Sequence, residues 1–515
     1  MKRITSAMLA AFITAGALLC GVSADAGGGE PALGSIVLAR HNIDSHTSQI
    51  QKKNAKLLKL TPDELAAASF ADYDTSDVII GTEICEFSDT KGDRTGGSIE
   101  NAIDGSEDNI VTLGADSYTV RSIEGFSGHT ELFPSSTVLR AATGKRVRLD
   151  CGYGDDVPEY QIVKDKKNIY IENIDFYDFP VLKFENCENI IINNCTFTGF
   201  LDNGVVFRGC SDISVINCTF TDCGVRMSDA TSEGYSIRIV GDKDAKTENV
   251  LIENCTIDHS YGKAISLVGS VDNYVIRNNK ISNTVWGAID YWTPSVSGEY
   301  VNVVENNDIL NIGFGAPAED DKAALKSGVG CAAIFAGMGM TLPKSVVKNN
   351  TLKNVVETGI EGPYEIIYHN TIKNTGERSA TRYTGSTEAV FIKPSADFEQ
   401  KYVANDIETR GLRCFSSYSG SESEYTAIYI LNNKMSLKKT DPTITCNYAR
   451  SDIEINCKKL KKLVISGNEG MLTTEPSVNI YLSQGYQMDY FDLSNPCMIG
   501  AMPESARYCF NIMNK

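Results

Sequence analysis

The chain has 515 residues, 42% of them hydrophobic, and its 66 acidic against 48 basic side chains give a formal net charge of −18. That excess argues against nucleic acid or an anionic membrane surface as a partner. Five histidines and the absence of any Cys-x-x-Cys pair argue against a zinc site.

The chain opens with Lys2 and Arg3 ahead of the apolar run 7–19, followed by small-x-small steps at Val22-Ser23-Ala24 and Ala24-Asp25-Ala26. Residues 1–26 therefore read as a secretory signal peptide, which places the protein outside the cytoplasm, secreted or at the cell surface. A lipid anchor at Cys20 is the less favoured alternative, because Leu19 is a poor residue before a lipidated cysteine. No later stretch is long and apolar enough to span a bilayer. Residues 27–107 read as a lead and cap. Within them 49–70 has helical spacing, and Thr61-Pro62-Asp63-Glu64 is a capping box with proline at the first helical position. A helical N-terminal cap is expected there, since the first turn of a solenoid exposes an apolar face and open strand edges.

The region 108–482 is organised by a repeat. Eight times the chain writes apolar-x-Asn-x-x-apolar, with the central residues Asn173, Asn194, Asn217, Asn254, Asn278, Asn306, Asn349 and Asn432. Looser copies place His369, Ala404 and Gly467 in the Asn position. Spacings run from 20 (Asn349 to His369) to 43 (Asn306 to Asn349), which signals a solenoid. Each phrase is two short strands around an Asn that tolerates the left-handed conformation, and a polar loop leads to a third strand. Three strands per turn, stacked on neighbours, make an all-β right-handed parallel β-helix of about eleven turns. Stacking at about 4.8 Å also predicts a ladder of side-chain amides formed by the phrase Asn residues themselves. Cys195, Cys218 and Cys255 follow the Asn in their phrases and Cys187 and Cys210 share a later position, so they are expected as stacked thiols rather than bridges. Residues 483–515 read as a C-terminal cap.

Function in solenoids sits where loops lengthen. The connections 221–234, 311–330 and 374–387 lead into third strands on one corner, and 337–344 is enlarged on the other side, so together they should wall a groove over the third-strand sheet. The third strands align on Ile237, Ile265, Ile289, Ile334, Ile360 and Val390, which alternation sends inward. The next residues then face the groove: Arg238, Ser266, Asp290, Phe335, Glu361 and Phe391, with Trp292 and Lys393 two positions on. The bland reading is a solvated polar face; with the loops counted, a sugar-binding groove stands level with it.

The chain resembles the pectate-lyase-like superfamily of right-handed parallel β-helix proteins over roughly residues 100 to 490, through the repeated Asn phrase. The resemblance implies a polysaccharide or glycan partner and, for most members, catalysis on the third-strand sheet. Signatures of its characterised subfamilies do not carry over. Only Arg238-Ile239 matches part of an Arg-Ile-Lys phrase, and Ile257-Asp258-His259 echoes a Trp-Ile-Asp-His phrase on the wrong side of the bend. Three readings stay open. In a lyase, Lys393 or Arg238 is the base and Asp290, Glu361, Asp320 and Asp321 hold calcium. In a glycoside hydrolase, Asp290 and Glu361 are acid and base, about 9–10 Å apart. In a non-catalytic adhesin or structural β-helix, Trp292, Phe335, Phe391 and Tyr418 are stacking platforms. A monomer is expected.

Overall fold

The computed structural model describes residues 161–225, 234–242, 244–313, 332–337, 341–376, 388–438, 451–470, 478–483 and 488–494, with shorter stretches between 35 and 150 and at 510–514. The repeat phrase folds as its residues dictate. Asn173, Asn194, Asn217, Asn254, Asn278, Asn306, Asn349 and Asn432 all adopt the left-handed conformation, at φ between 50° and 59°. His369 (53°), Ala404 (53°) and Gly467 (66°) adopt it too, so the looser copies make the same bend. One left-handed residue turns the chain sharply between two strands, and Asn bears that conformation better than most residues.

Repetition of the bend stacks parallel strands into three faces. The first sheet holds strands such as Glu188–Asn193, Ser211–Ile216 and Thr247–Glu253, each in register with the next turn. After the bend comes the second sheet, twelve strands among the described residues, including Thr196–Thr198, Thr219–Cys223 and Asp308–Ile312. The third sheet contains Val205–Arg208, Ile237–Gly241, Lys263–Gly269, Gly287–Trp292, Ala332–Ala336, Thr358–Gly362 and Glu388–Ile392. In Arg413–Leu431 and Ser451–Ser466 the third and first sheets run into one another as single long strands. Stacking continues with Tyr490–Ser494 on Lys462–Ser466 and Phe510–Asn514 on Val478–Leu482. The helical segment expected at 49–70 and the leader 1–26 lie outside the described residues. The described parts near them, Ser35–His41 and Ile80–Glu86, form an antiparallel pair.

The interior is a set of like-on-like columns, because each turn repeats the one below. Phe176, Phe197 and Phe220 stack with ring centroids 5.1 and 4.6 Å apart, close to the strand spacing. The cysteine columns are thiols: Cys187, Cys195, Cys210, Cys218, Cys223, Cys255, Cys414 and Cys457 are free and buried. Cys218 Sγ and Cys255 Sγ each donate to a carbonyl of the turn below, Ile192 O and Val215 O, both at 3.5 Å.

The amide ladder exists, but one residue later than the phrase Asn. From Asn194 onward the phrase asparagines are exposed, and only Asn194 donates to the one below it, Asn173 Oδ1, at 2.6 Å. The buried ladder is Asn279, Asn307, Asn350, Asn370, Asn405, Asn433 and Asn468, whose side chains bond in sequence at 2.9–3.0 Å. The reason is geometric. A left-handed residue points its side chain out of the corner, and the residue after it turns inward. Cys195, Cys218 and Cys255 fill that inward position in the earlier turns. A second ladder runs up the other end of the second sheet, from Asp258 through Asn283, Asn311, Asn354 and Asn374 at 2.7–3.1 Å.

Candidate functional site

The third-sheet alignment holds. Ile237, Ile265, Ile289, Ile334, Ile360 and Val390 pair in one column and are 0–2% exposed. The outward column beside them runs Arg238, Ser266, Asp290, Phe335, Glu361, Phe391. Asp290 and Glu361 are thus two rungs apart, about 9.6 Å along the axis. Arg238 lies two rungs from Asp290 in the other direction, its guanidinium 4.9 Å from the Tyr235 ring.

Asp290 is buried, at 1% exposure, and Lys263 Nζ donates to its Oδ2. Burial pushes its carboxyl up to about 6, with Lys263 first among the groups that pull it back. Among the described residues its Oδ1 has no hydrogen-bond partner, and neither has Ser266 Oγ nor Arg238 Nε. Three successive rungs of one column therefore each present a buried polar atom left open. Buried polar groups in native proteins are paired as a rule, with protein or ordered water, so this triplet stands out on the sheet.

Glu361 pairs with Lys393, whose Nζ lies 3.0 Å from Oε1. That ammonium also donates to Ala336 O at 2.7 Å and sits 4.3 Å from the centre of the Phe335 ring. Burial draws Lys393 below the usual lysine range, while Glu361 and Asp290 hold its proton on. Trp292 and Phe335 meet at 5.2 Å between ring centroids, and Lys263 Nζ lies 4.6 Å from the Trp292 ring. The half-buried Phe391 is one rung beyond Glu361. Tyr418, 64% exposed, follows Ser417, which pairs with Ile392, and so lies one rung beyond Lys393. The structure therefore gathers Asp290, Trp292, Phe335, Glu361 and Lys393 into one patch, with Arg238 at one end and Phe391 at the other.

Shared calcium binding does not fit these residues. Asp290 and Glu361 each face their own lysine ammonium, so a cation between them meets two positive charges. No group of three or more His, Cys, Asp or Glu converges among the described residues. Asp320 and Asp321 lie outside them, as do most of the connections expected to wall the groove.

Sequence reasoning missed Lys263, Glu388 and Arg413, which also stand on this sheet. Strict alternation counted from Ile265 turns Lys263 inward. The strand begins at the corner, where alternation breaks, and Lys263 reaches over the sheet instead. The available signal was a charged residue directly before the small buried one, as in Lys263-Ala264, Glu388-Ala389 and Arg413-Cys414.

Residues 159–281 match the family model described as right-handed beta helix region. The chain carries a right-handed β-helix. That match agrees with the resemblance carried by the repeat phrase as far as the right-handed β-helix fold itself. Solved structures similar to it include an alginate lyase from Paenibacillus sp., at 10% identity over 70% of this chain and 99% of that one, with TM-score 0.32. The surface adhesin PfbA of Streptococcus pneumoniae is 12% identical over 75% and 86%, with TM-score 0.41. A tailspike protein of E. coli bacteriophage HK620 is 12% identical over 80% and 72%, with TM-score 0.44. At these scores none of them bears on the chemistry of this chain. No curated protein matches it by sequence.

Proposed function

We propose that this protein is an exported glycoside hydrolase that binds a polysaccharide along the third sheet and cleaves it at Asp290. The observation that carries the reading is the run of open buried atoms on Arg238, Ser266 and Asp290, beside the Trp292–Phe335 pair. Sugars offer hydroxyls to such atoms and apolar faces to such rings. Asp290 is the proton donor. A carboxyl held near 6 keeps its proton at mildly acidic pH and releases it to a leaving oxygen. Glu361 is the base for water. Their strands stand about 9.6 Å apart along the axis, just beyond the widest carboxyl separation of about 9.5 Å in inverting enzymes, which leaves room for that water.

Elimination is disfavoured by the contacts of Lys393, whose ammonium nitrogen is held between Glu361 Oε1 and Ala336 O instead of turned to a substrate proton. The binding-only reading draws support from Tyr418, an exposed ring one rung from Lys393 that suits a stacking platform. Export rests on the leader-like residues 1–26, with Cys20 as the less favoured lipid anchor.

The test is incubation with a panel of polysaccharides, following saturated reducing ends and unsaturated uronate products separately. Saturated products that vanish in Asp290→Asn support hydrolysis, unsaturated products support a lyase, and binding without products supports an adhesin.

A further inference from the structure

Farther along the same sheet lies a second set of buried polar atoms left open. Glu388, Arg413 and Ser451 begin three successive third-sheet strands, in register. They are 0%, 7% and 0% exposed. Glu388 Oε2, Arg413 Nε and Ser451 Oγ have no hydrogen-bond partner among the described residues. The remaining contacts of the group are mutual. Arg413 Nη1 lies 3.3 Å from Glu388 Oε1, and Arg413 Nη2 lies 2.8 Å from Glu454 Oε2. Ordinary surface ion pairs do not present this pattern, because exposed atoms would be satisfied by solvent.

The charges select the ligand. One guanidinium is already shared between two carboxylates, so no positive charge is left for a uronate carboxylate or a sulfate ester. The open atoms are a carboxyl oxygen, a guanidinium N–H and a hydroxyl. A sugar hydroxyl donates to the first, accepts from the second and does either with the third. From the strand of Asp290 to that of Glu388 is three rungs, about 14 Å, a span that only an oligosaccharide of several units bridges.

We propose that Glu388, Arg413 and Ser451 form a second saccharide subsite, three strands along the axis from Asp290, which takes the hydroxyls of an uncharged sugar unit. The subsite rests on the glycan reading of the Asp290 site and extends it. It makes the substrate a chain with neutral sugar at that position, and it makes affinity depend on chain length.

The experiment is calorimetric titration of the full chain with disaccharide to hexasaccharide ladders, one of neutral sugars and one of uronates. Ser451→Ala and Glu388→Gln are compared with the parent, with folding checked by circular dichroism and melting temperature. The expected result is that each variant loses about tenfold in affinity for the neutral hexasaccharide and nothing for the disaccharide. Equal affinity of parent and variants for the long chain overturns the proposal. So does an equal loss on short and long chains, which marks a structural role, or a preference of this subsite for the uronate ladder. Ser451→Ala removes a single oxygen and keeps the test alive should Glu388→Gln fail to fold. A parent that binds neither ladder defeats the glycan reading itself, and the subsite falls with it.

Discussion

Replacing Asn350 by leucine, which keeps the shape and removes the amide, is the sharpest test of what holds the solenoid together. Asn350 is fully buried. Its Oδ1 accepts from the Asn307 backbone N–H at 3.0 Å and from Asn307 Nδ2 at 2.9 Å. Its Nδ2 donates to Val304 O and Asn370 Oδ1, both at 3.0 Å. Leucine orphans the Asn307 N–H outright, at about 1–3 kcal/mol. It also strips one proton of Asn307 Nδ2 and one acceptor at Val304 O, while Asn370 Oδ1 keeps the backbone N–H of residue 350. The sum is roughly 2–5 kcal/mol. Asn350→Cys should cost less than leucine, because a thiol in this column already bonds to the turn below in Cys255. The exposed neighbour Asn349 lies at φ 54°, so Asn349→Gly should change stability by no more than a few tenths of a kcal/mol. Urea unfolding followed by circular dichroism, with the slope checked for constancy, measures all three. The reasoning is falsified if Asn350→Leu costs under about 0.5 kcal/mol or no more than Asn349→Gly.

Other expectations follow from the groove and the core. On a glycan that the parent cleaves, Asp290→Asn and Glu361→Gln should each slow turnover roughly a hundredfold or more, and full activity in either variant would move the site elsewhere. With Asp290 as proton donor at about 6, parent kcat/KM should fall as pH rises through that value; a rate still climbing at pH 8 would exclude the role. Burial pushes Glu388 from 4.5 to about 7, so the folded state holds its proton more tightly than the unfolded chain. Its contribution to stability is therefore full below about pH 4.5 and lost as pH rises through about 7. Glu388→Gln should flatten the parent's decline across that window in melting curves, and an unchanged slope would count against the assignment. Burial also pushes the thiols of Cys195, Cys218, Cys223 and Cys457 upward. Alkylation of native protein, mapped by mass spectrometry, should spare all four until the chain unfolds.

The solenoid was legible because its information is local. A bend needs one left-handed residue, each turn repeats that need, and so Asn173 through Gly467 announce the architecture, the three-strand turn and the inward column of the third sheet. The Arg238–Asp290–Glu361 column follows from counting along each strand once Ile237 and its equivalents are aligned. What the sequence did not show depends on what happens at corners and across turns. The ladder sits on Asn350 and its equivalents because a left-handed bend reverses which neighbour points inward, and two adjacent asparagines in a phrase look alike until the backbone chooses between them. Lys263, Glu388 and Arg413 reach over the sheet because alternation breaks at the first residue of a strand. Their partners are equally invisible in one dimension. Lys263 meets Asp290 27 residues away and Lys393 meets Ala336 O 57 residues away, since only stacking converts a rung of about 4.8 Å into contact between distant positions.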